Sequence, residues 1–274
     1  MQYFTASDAW SGGFVGKYWG VKEKEQIAEW LFSQKTDETG NPKGIGLSLW
    51  RVNLGAGTFE QSGADIQPMQ RRAESYMTAD GEHYDWDKCV GQQYFMKKAV
   101  EFGCNNFLLF SNSPLVQYTL NGKGWSKSDT TANICPECYE KYADYLAAVA
   151  AHFIDKGWHI PYISPINEPQ IDWTTPRQEG SPWKNSQIKK MVSALDEKLS
   201  SDKKFDNTHI FVAESNDYQQ LYGEGSERNR FGKNNDDTPD KQIQNFFDQN
   251  SPYFIGKLKH IPSMIAAHSY GENK

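Results

Sequence analysis

Along this chain, apolar runs of strand length alternate with longer stretches of helical periodicity, and that alternation constrains the fold more than any other feature. The strand-like runs are Gly46–Leu54, Asn106–Ser111, Tyr162–Asn167, His209–Glu214 and Met264–Tyr270, with a weaker first one at Tyr3–Ser7. Between them, apolar residues recur at helical spacing over Lys22–Phe32, Trp86–Phe102, Pro136–Lys156, Lys184–Leu199 and Asp240–Phe247. Pro136 sits where a first helical turn tolerates proline, and Lys156-Gly157 is a plausible stop. This order predicts parallel βα units rather than an antiparallel sandwich. The polar stretch from Gly223 to Asp240 reads as a long βα loop, because the alternation resumes after it. No repeat, low-complexity tract or linker divides the chain, so residues 1–274 are expected to form a single domain.

Periodicity alone does not separate an open doubly wound sheet from a closed barrel. Ser11-Gly12-Gly13-Phe14-Val15-Gly16 is not the G-x-G-x-x-G phosphate fingerprint and is not expected to open directly into a helix. Polar and ionisable residues instead recur at strand C-terminal ends: Asp8, Arg51, Asn53, Ser111, Asn112, Asn167, Glu168, Glu214, His268 and Tyr270. In a barrel those ends converge on one face, whereas in an open sheet they spread along an edge. The expected fold class is therefore α/β, a (β/α)8 TIM-type barrel, here running through about strand six.

Composition narrows the function. The net charge of −6 and a pI near 5.6 argue against a nucleic-acid partner or an anionic membrane, both of which select a basic face. No stretch approaches the roughly 20 apolar residues that span a bilayer, and the first residues carry no signal-peptide pattern. Cys135-Pro136-Glu137-Cys138 invites a zinc or redox reading, yet Cys89 and Cys104 form no second close pair. Structural cysteines, free or disulfide-bonded, and no metal are expected. Aromatic residues make up 14% of the chain, including 9 Trp. They either fill a core or form stacking platforms for sugar rings. Trp10, Trp125, Trp173 and Trp183 lie in polar, turn-rich surroundings and are the candidate platforms.

The chemistry concentrates at Asn167-Glu168-Pro169, which follows a strand. Cleaving a glycosidic bond requires a proton for the leaving alkoxide, which a carboxylic acid of raised pKa supplies. The adjacent Asn167 amide suits a sugar 2-hydroxyl, a hydrogen bond that strengthens as oxocarbenium character develops. Pro169 biases Glu168 toward extended backbone. Beside these readings stand plainer ones. Arg51 fits a ligand-side role or a structural ion pair, and His268 fits the site or a satisfied core position. Glu214 fits a sugar contact or a salt bridge, and Asp8 a sugar hydroxyl or a turn cap. His152 and His159 read as structural or surface residues.

The chain resembles glycoside hydrolase family 30 within clan A, most of all its endo-β-1,6-galactanase-type members. The resemblance rests on Ser7-Asp8-Ala9-Trp10-Ser11, Trp50-Arg51-Val52-Asn53-Leu54-Gly55, Gln70-Arg71-Arg72-Ala73-Glu74-Ser75, Tyr84-Asp85-Trp86, Ser111-Asn112-Ser113-Pro114, Asn167-Glu168-Pro169 and Ala267-His268-Ser269-Tyr270. By that resemblance Glu168 is the acid/base and Asn167 binds the reacting sugar. Arg51, Asn112, His268 and Tyr270 line the donor subsite. The resemblance further implies retention of anomeric configuration, no metal or organic cofactor, and a polysaccharide or oligosaccharide substrate. It implies a monomer that is secreted, periplasmic or held at the cell surface. β-1,6-Galactan is the first substrate expected, with β-1,6-glucan and xylan next.

One departure matters. A retaining mechanism needs a second carboxylate roughly 5–5.5 Å from the first, and in the clan it stands on strand seven. Counting places His268-Ser269-Tyr270 on strand six, so neither Glu214 nor Glu272 matches that position. The nucleophile is expected C-terminal to Lys274, and the chain alone is expected to be weakly active or inactive. The competing class is a non-catalytic carbohydrate-binding barrel lacking the nucleophile.

Overall fold

The computed structural model describes residues 2–61, 65–232 and 234–270. Five strands, β1 (Thr5–Ser7), β2 (Leu49–Asn53), β3 (Asn106–Phe110), β4 (His159–Ser164) and β5 (His209–Ile210), pair in sequence order. Every pairing is parallel. A sheet whose strand order never reverses is singly wound, as in a barrel, and has no switch point of the kind that marks an open doubly wound sheet.

Alternation along the strands makes two cores. Trp50, Val52, Phe107, Leu109 and Ile163 point outward into the large cluster shared with the helices. Leu49, Leu108, Phe110 and Tyr162 point inward and form a smaller cluster inside the curved sheet. The outer layer comprises α1 (Gly12–Tyr18), α2 (Val21–Phe32), α3 (Val90–Glu101), α4 (Tyr139–Asp155) and α5 (Asn185–Ser200). Short α6 (Gln219–Tyr222), α7 (Arg228–Phe231) and α8 (Gln242–Phe247) follow β5. No helix among the described residues is long and apolar enough to cross a membrane.

α1 packs on α3 at a glycine crossing. A Cβ at Gly91 would meet the Gly13 carbonyl oxygen at 1.8 Å, and one at Gly16 would meet the Gly91 oxygen at 2.1 Å. Only glycine permits that approach.

Four expectations are corrected. The Ser11–Gly16 stretch does open directly into a helix, α1, which begins at Gly12. β5 covers only His209–Ile210 rather than running to Glu214, which itself turns into the left-handed region with φ 44°. The expected sixth strand, Met264–Tyr270, forms no regular strand but one parallel bridge, Ser215 to Ala267. Backbone bonds from Ala266 N to Val212 O (2.8 Å), Ser215 N to Ala266 O (3.1 Å) and His268 N to Ser215 O (2.7 Å) still lay this segment in the sixth position. The stretch read as a plain loop from Gly223 to Asp240 contains α7. Glu272 lies outside the described residues.

Candidate active site

The strand ends carry the ionisable side chains to one face, where an open cleft of roughly 490 Å³ is lined by Trp10, Arg51, Asn112, Asn167, Glu168, Trp173, His268 and Tyr270, among others. Arg51 projects from β2 on the inner side, with its guanidinium carbon 3.2 Å from the Phe110 ring centroid. It donates to Ser7 Oγ (3.2 Å) and Asn167 Oδ1 (2.9 Å), and pairs with Glu214 Oε2.

Glu168 follows β4 and its carboxylate oxygen Oε1 lies 2.8 Å from His268 Nδ1. The opposite ring nitrogen, Nε2, lies 3.3 Å from Glu214 Oε2. Burial alone would lower the His268 pKa, but hydrogen bonds to Glu168 and Glu214 push it up to about 9. At neutral pH the ring is therefore an imidazolium, and both nitrogens donate. Burial would raise Glu214, yet Arg51 and His268 hold its carboxyl down at about 2.

The backbone of Glu168 departs from the extended geometry that Pro169 suggested. Its φ is 47°, and Glu214 matches it at 44°. A left-handed conformation costs a non-glycine residue about 1–2 kcal/mol. Here bonds from Glu168 N to Glu214 O (2.9 Å) and Ile171 N to Glu168 O (3.1 Å) hold it. Trp173 Nε1 also donates to the Glu168 carbonyl at 3.1 Å. The turn aims the carboxylate into the cleft instead of along the strand.

Asp8, Asn53 and Glu214 are buried beneath the cleft rather than lining it. Asp8 accepts from Asn53 N and from Gln92 Nε2, both at 2.8 Å, and Asn53 Oδ1 accepts from Asn112 Nδ2 at 3.0 Å. Burial pushes the Asp8 carboxyl up to about 7. Asp8 thus resolves as a backbone anchor under Asn112. Trp10 and Trp173 border the cleft, whereas Trp183 is 1% exposed and packs edge-on against Tyr139 in the core. Its candidacy as a stacking platform is overturned. Trp125 is half-buried and outside the cleft. Tyr270 is 80% exposed, with its ring edge-on to His268 at 5.2 Å.

Sequence reasoning missed the loop residues. Arg71 and Gln178 line the cleft, and Arg71 Nη1 donates to Gln178 Oε1 at 2.9 Å. Next to Gln178, the wholly buried Glu179 accepts from Ala56 N (3.0 Å), Thr58 Oγ1 (2.5 Å) and Ala73 N (3.4 Å). Burial pushes its carboxyl up to about 7. It fastens the loop after β2 to the loop after β4. Among the described residues, Cys135, Glu137 and Cys138 are grouped closely enough to suggest a metal site, but the two sulfurs are joined in a disulfide. Cys89 and Cys104 are free and buried.

The family profile described as O-Glycosyl hydrolase family 30 matches residues 1–273. An endo-β-1,6-galactanase from Hypocrea rufa is 26% identical over 213 residues, covering 70% of this chain and 44% of that protein. A solved structure of a conserved exported protein from Bacteroides fragilis superposes with a TM-score of 0.90 at 36% identity, over 98% of this chain and 53% of the other. An endo-β-1,6-glucanase structure superposes with a TM-score of 0.62 at 18% identity, over 100% of this chain and 52% of that one, and supports the fold alone. The chain spans about half the length of these relatives.

Proposed function

The chain belongs to O-glycosyl hydrolase family 30, and from that premise we propose that it is the catalytic barrel unit of a retaining glycoside hydrolase with Glu168 as general acid/base. The observation that carries the reading is the Glu168 carboxylate, turned into an open cleft and gripped by His268. Glu168 protonates the bridging oxygen as the glycosidic bond breaks, then takes a proton from the water that releases the sugar. Asn167, with its Oδ1 engaged by Arg51, keeps its amide N–H groups for the sugar 2-hydroxyl. Trp10 supplies a ring face beside the reacting unit, the buried Trp173 backs the wall behind Glu168, and Tyr270, Asn112 and Arg51 complete the donor subsite.

The attacking carboxylate is not Glu214. One of its oxygens is committed to Arg51 and His268, and the other is buried without a hydrogen-bond partner. The proposal places the nucleophile beyond residue 274, on the seventh strand of the longer polypeptide. The β-1,6-galactanase relative favours β-1,6-galactan as substrate, ahead of β-1,6-glucan and xylan. Action as a monomer is part of the same reading, and so is a place outside the cytoplasm, which the exported relative and a disulfide, a bond that persists in oxidising surroundings, support.

The test is hydrolysis of galactans, glucans and xylans by the chain extended with its downstream coding sequence. Glu168→Gln is expected to lower turnover roughly 10²- to 10⁴-fold. Full activity in that variant would refute the assignment. Saccharide binding without hydrolysis in the extended protein would favour a non-catalytic barrel.

A further inference from the structure

The cleft has two arginines, and they are not equivalent. Arg51 is paired with Glu214, and His268 lies between Glu214 and Glu168. Arg71 has no such partner. Among the described residues its guanidinium donates to the neutral Gln178 side chain, lies 5.7 Å from the Trp10 ring centroid and makes no ion pair. The guanidinium stays charged at any relevant pH, so among the described residues this rim of the cleft carries a positive charge with no anion paired to it.

Arg71 is also held in place. The buried Glu179, adjoining Gln178, binds the amide of Ala73, two residues after Arg71, so the segments bearing guanidinium and amide are fastened together. Its neighbour Arg72 turns elsewhere, donating to the Ile66 carbonyl at 2.8 Å. Arg71, Tyr270 and Glu168 line the same cleft, so the cation and the proton donor face one space. With one of five N–H donors given to Gln178, the others remain to meet a planar or tetrahedral oxyanion.

The geometry points to Arg71 as the binding residue for an anionic sugar, carrying a ring carboxylate or a sulfate ester, in the unit next to the one that Glu168 addresses. The sugar ring lies against Trp10 while its charged group meets the guanidinium. This inference rests on the reading of the cleft as a saccharide site, and does not depend on hydrolysis.

Calorimetric titration distinguishes the cases. The ligands are a neutral β-linked galacto-oligosaccharide, the same oligosaccharide capped with a uronic acid, and a sulfated one, each at low ionic strength and at about 0.5 M salt. A charge-assisted bond of about 1.5–3 kcal/mol predicts that one or both acidic ligands bind roughly ten-fold or more tighter than the neutral one at low salt. That preference is expected to shrink at high salt, to collapse in Arg71→Gln and to survive in part in Arg71→Lys. The melting temperature of each variant reports whether it is folded. The carboxylate and sulfate arms identify which anion is read. Equal binding of neutral and acidic ligands by the native protein overturns this inference alone. Failure of every saccharide to bind overturns the saccharide-site reading and this inference with it.

Discussion

His268 carries its charge because two carboxylates flank it, so each of them controls it. Glu214→Ala removes one and also strips Arg51 of its ion pair. Breaking a buried pair from one side costs about 3–5 kcal/mol, and chemical denaturation is expected to show a loss of that size. The same variant should lower the His268 pKa from about 9 toward its ordinary value, read from the imidazole resonances against pH. An unchanged titration would show that Glu168 alone sets it. At this scale, the residues legible in the sequence were those at strand ends. Arg51, Asn167, Glu168, His268 and Tyr270 converge because parallel strands bring their C-terminal ends to one face. Asp8, Asn53 and Glu214 stand at strand ends too but lie one layer down, a depth that periodicity does not encode. Arg71 ends a single 3-10 turn, Met69–Arg71, and Gln178 and Glu179 sit in a loop, where no period marks which side chains turn inward.

Elements were legible in proportion to their length. Helical periodicity located α2, α3, α4 and α5 to within a few residues at their ends, because a long amphipathic face repeats its signal. α1 went unread, since Gly12, Gly13 and Gly16 make it look like a turn. Those glycines matter for packing, and Gly91→Ala is expected to destabilise the α1–α3 crossing by about 1–3 kcal/mol through overpacking. A melting temperature equal to that of the native protein would contradict the crossing. Trp183 looked like a surface platform because its sequence neighbours are polar, but it anchors the loop before α5 against α4. Trp183→Ala should cost about 3–5 kcal/mol of stability, with saccharide affinity following only through unfolding.

Across the whole molecule, three groups push the pH of greatest stability to the acidic side of neutral. Asp8 and Glu179 hold protons in the folded state up to about 7, whereas their ordinary values are 3.8 and 4.5. The stabilisation they provide is full below those values and is lost as the pH rises through about 7. His268 adds stability that is full below 6.5 and lost as the pH rises through about 9. Glu214 acts in the other direction, contributing above 4.5 and losing that contribution as the pH falls through about 2. Thermal stability is therefore expected to peak near pH 4 and to decline toward pH 9. A maximum above pH 8 would contradict these assignments.

Among the described residues, the segment that brings His268 to Glu168 is bonded to its neighbour on one side, through the bonds of Ala266, Ser215 and His268. Amide deuteration should therefore reach these positions well before β3, which is laddered on both flanks. Each brief detachment of this seam also releases the grip on the Glu168 carboxylate, so the share of time the donor is correctly aimed equals the share of time the seam is shut. A chain segment that zips onto the other flank of residues 264–268 would slow deuteration there and steady the proton donor in the same act.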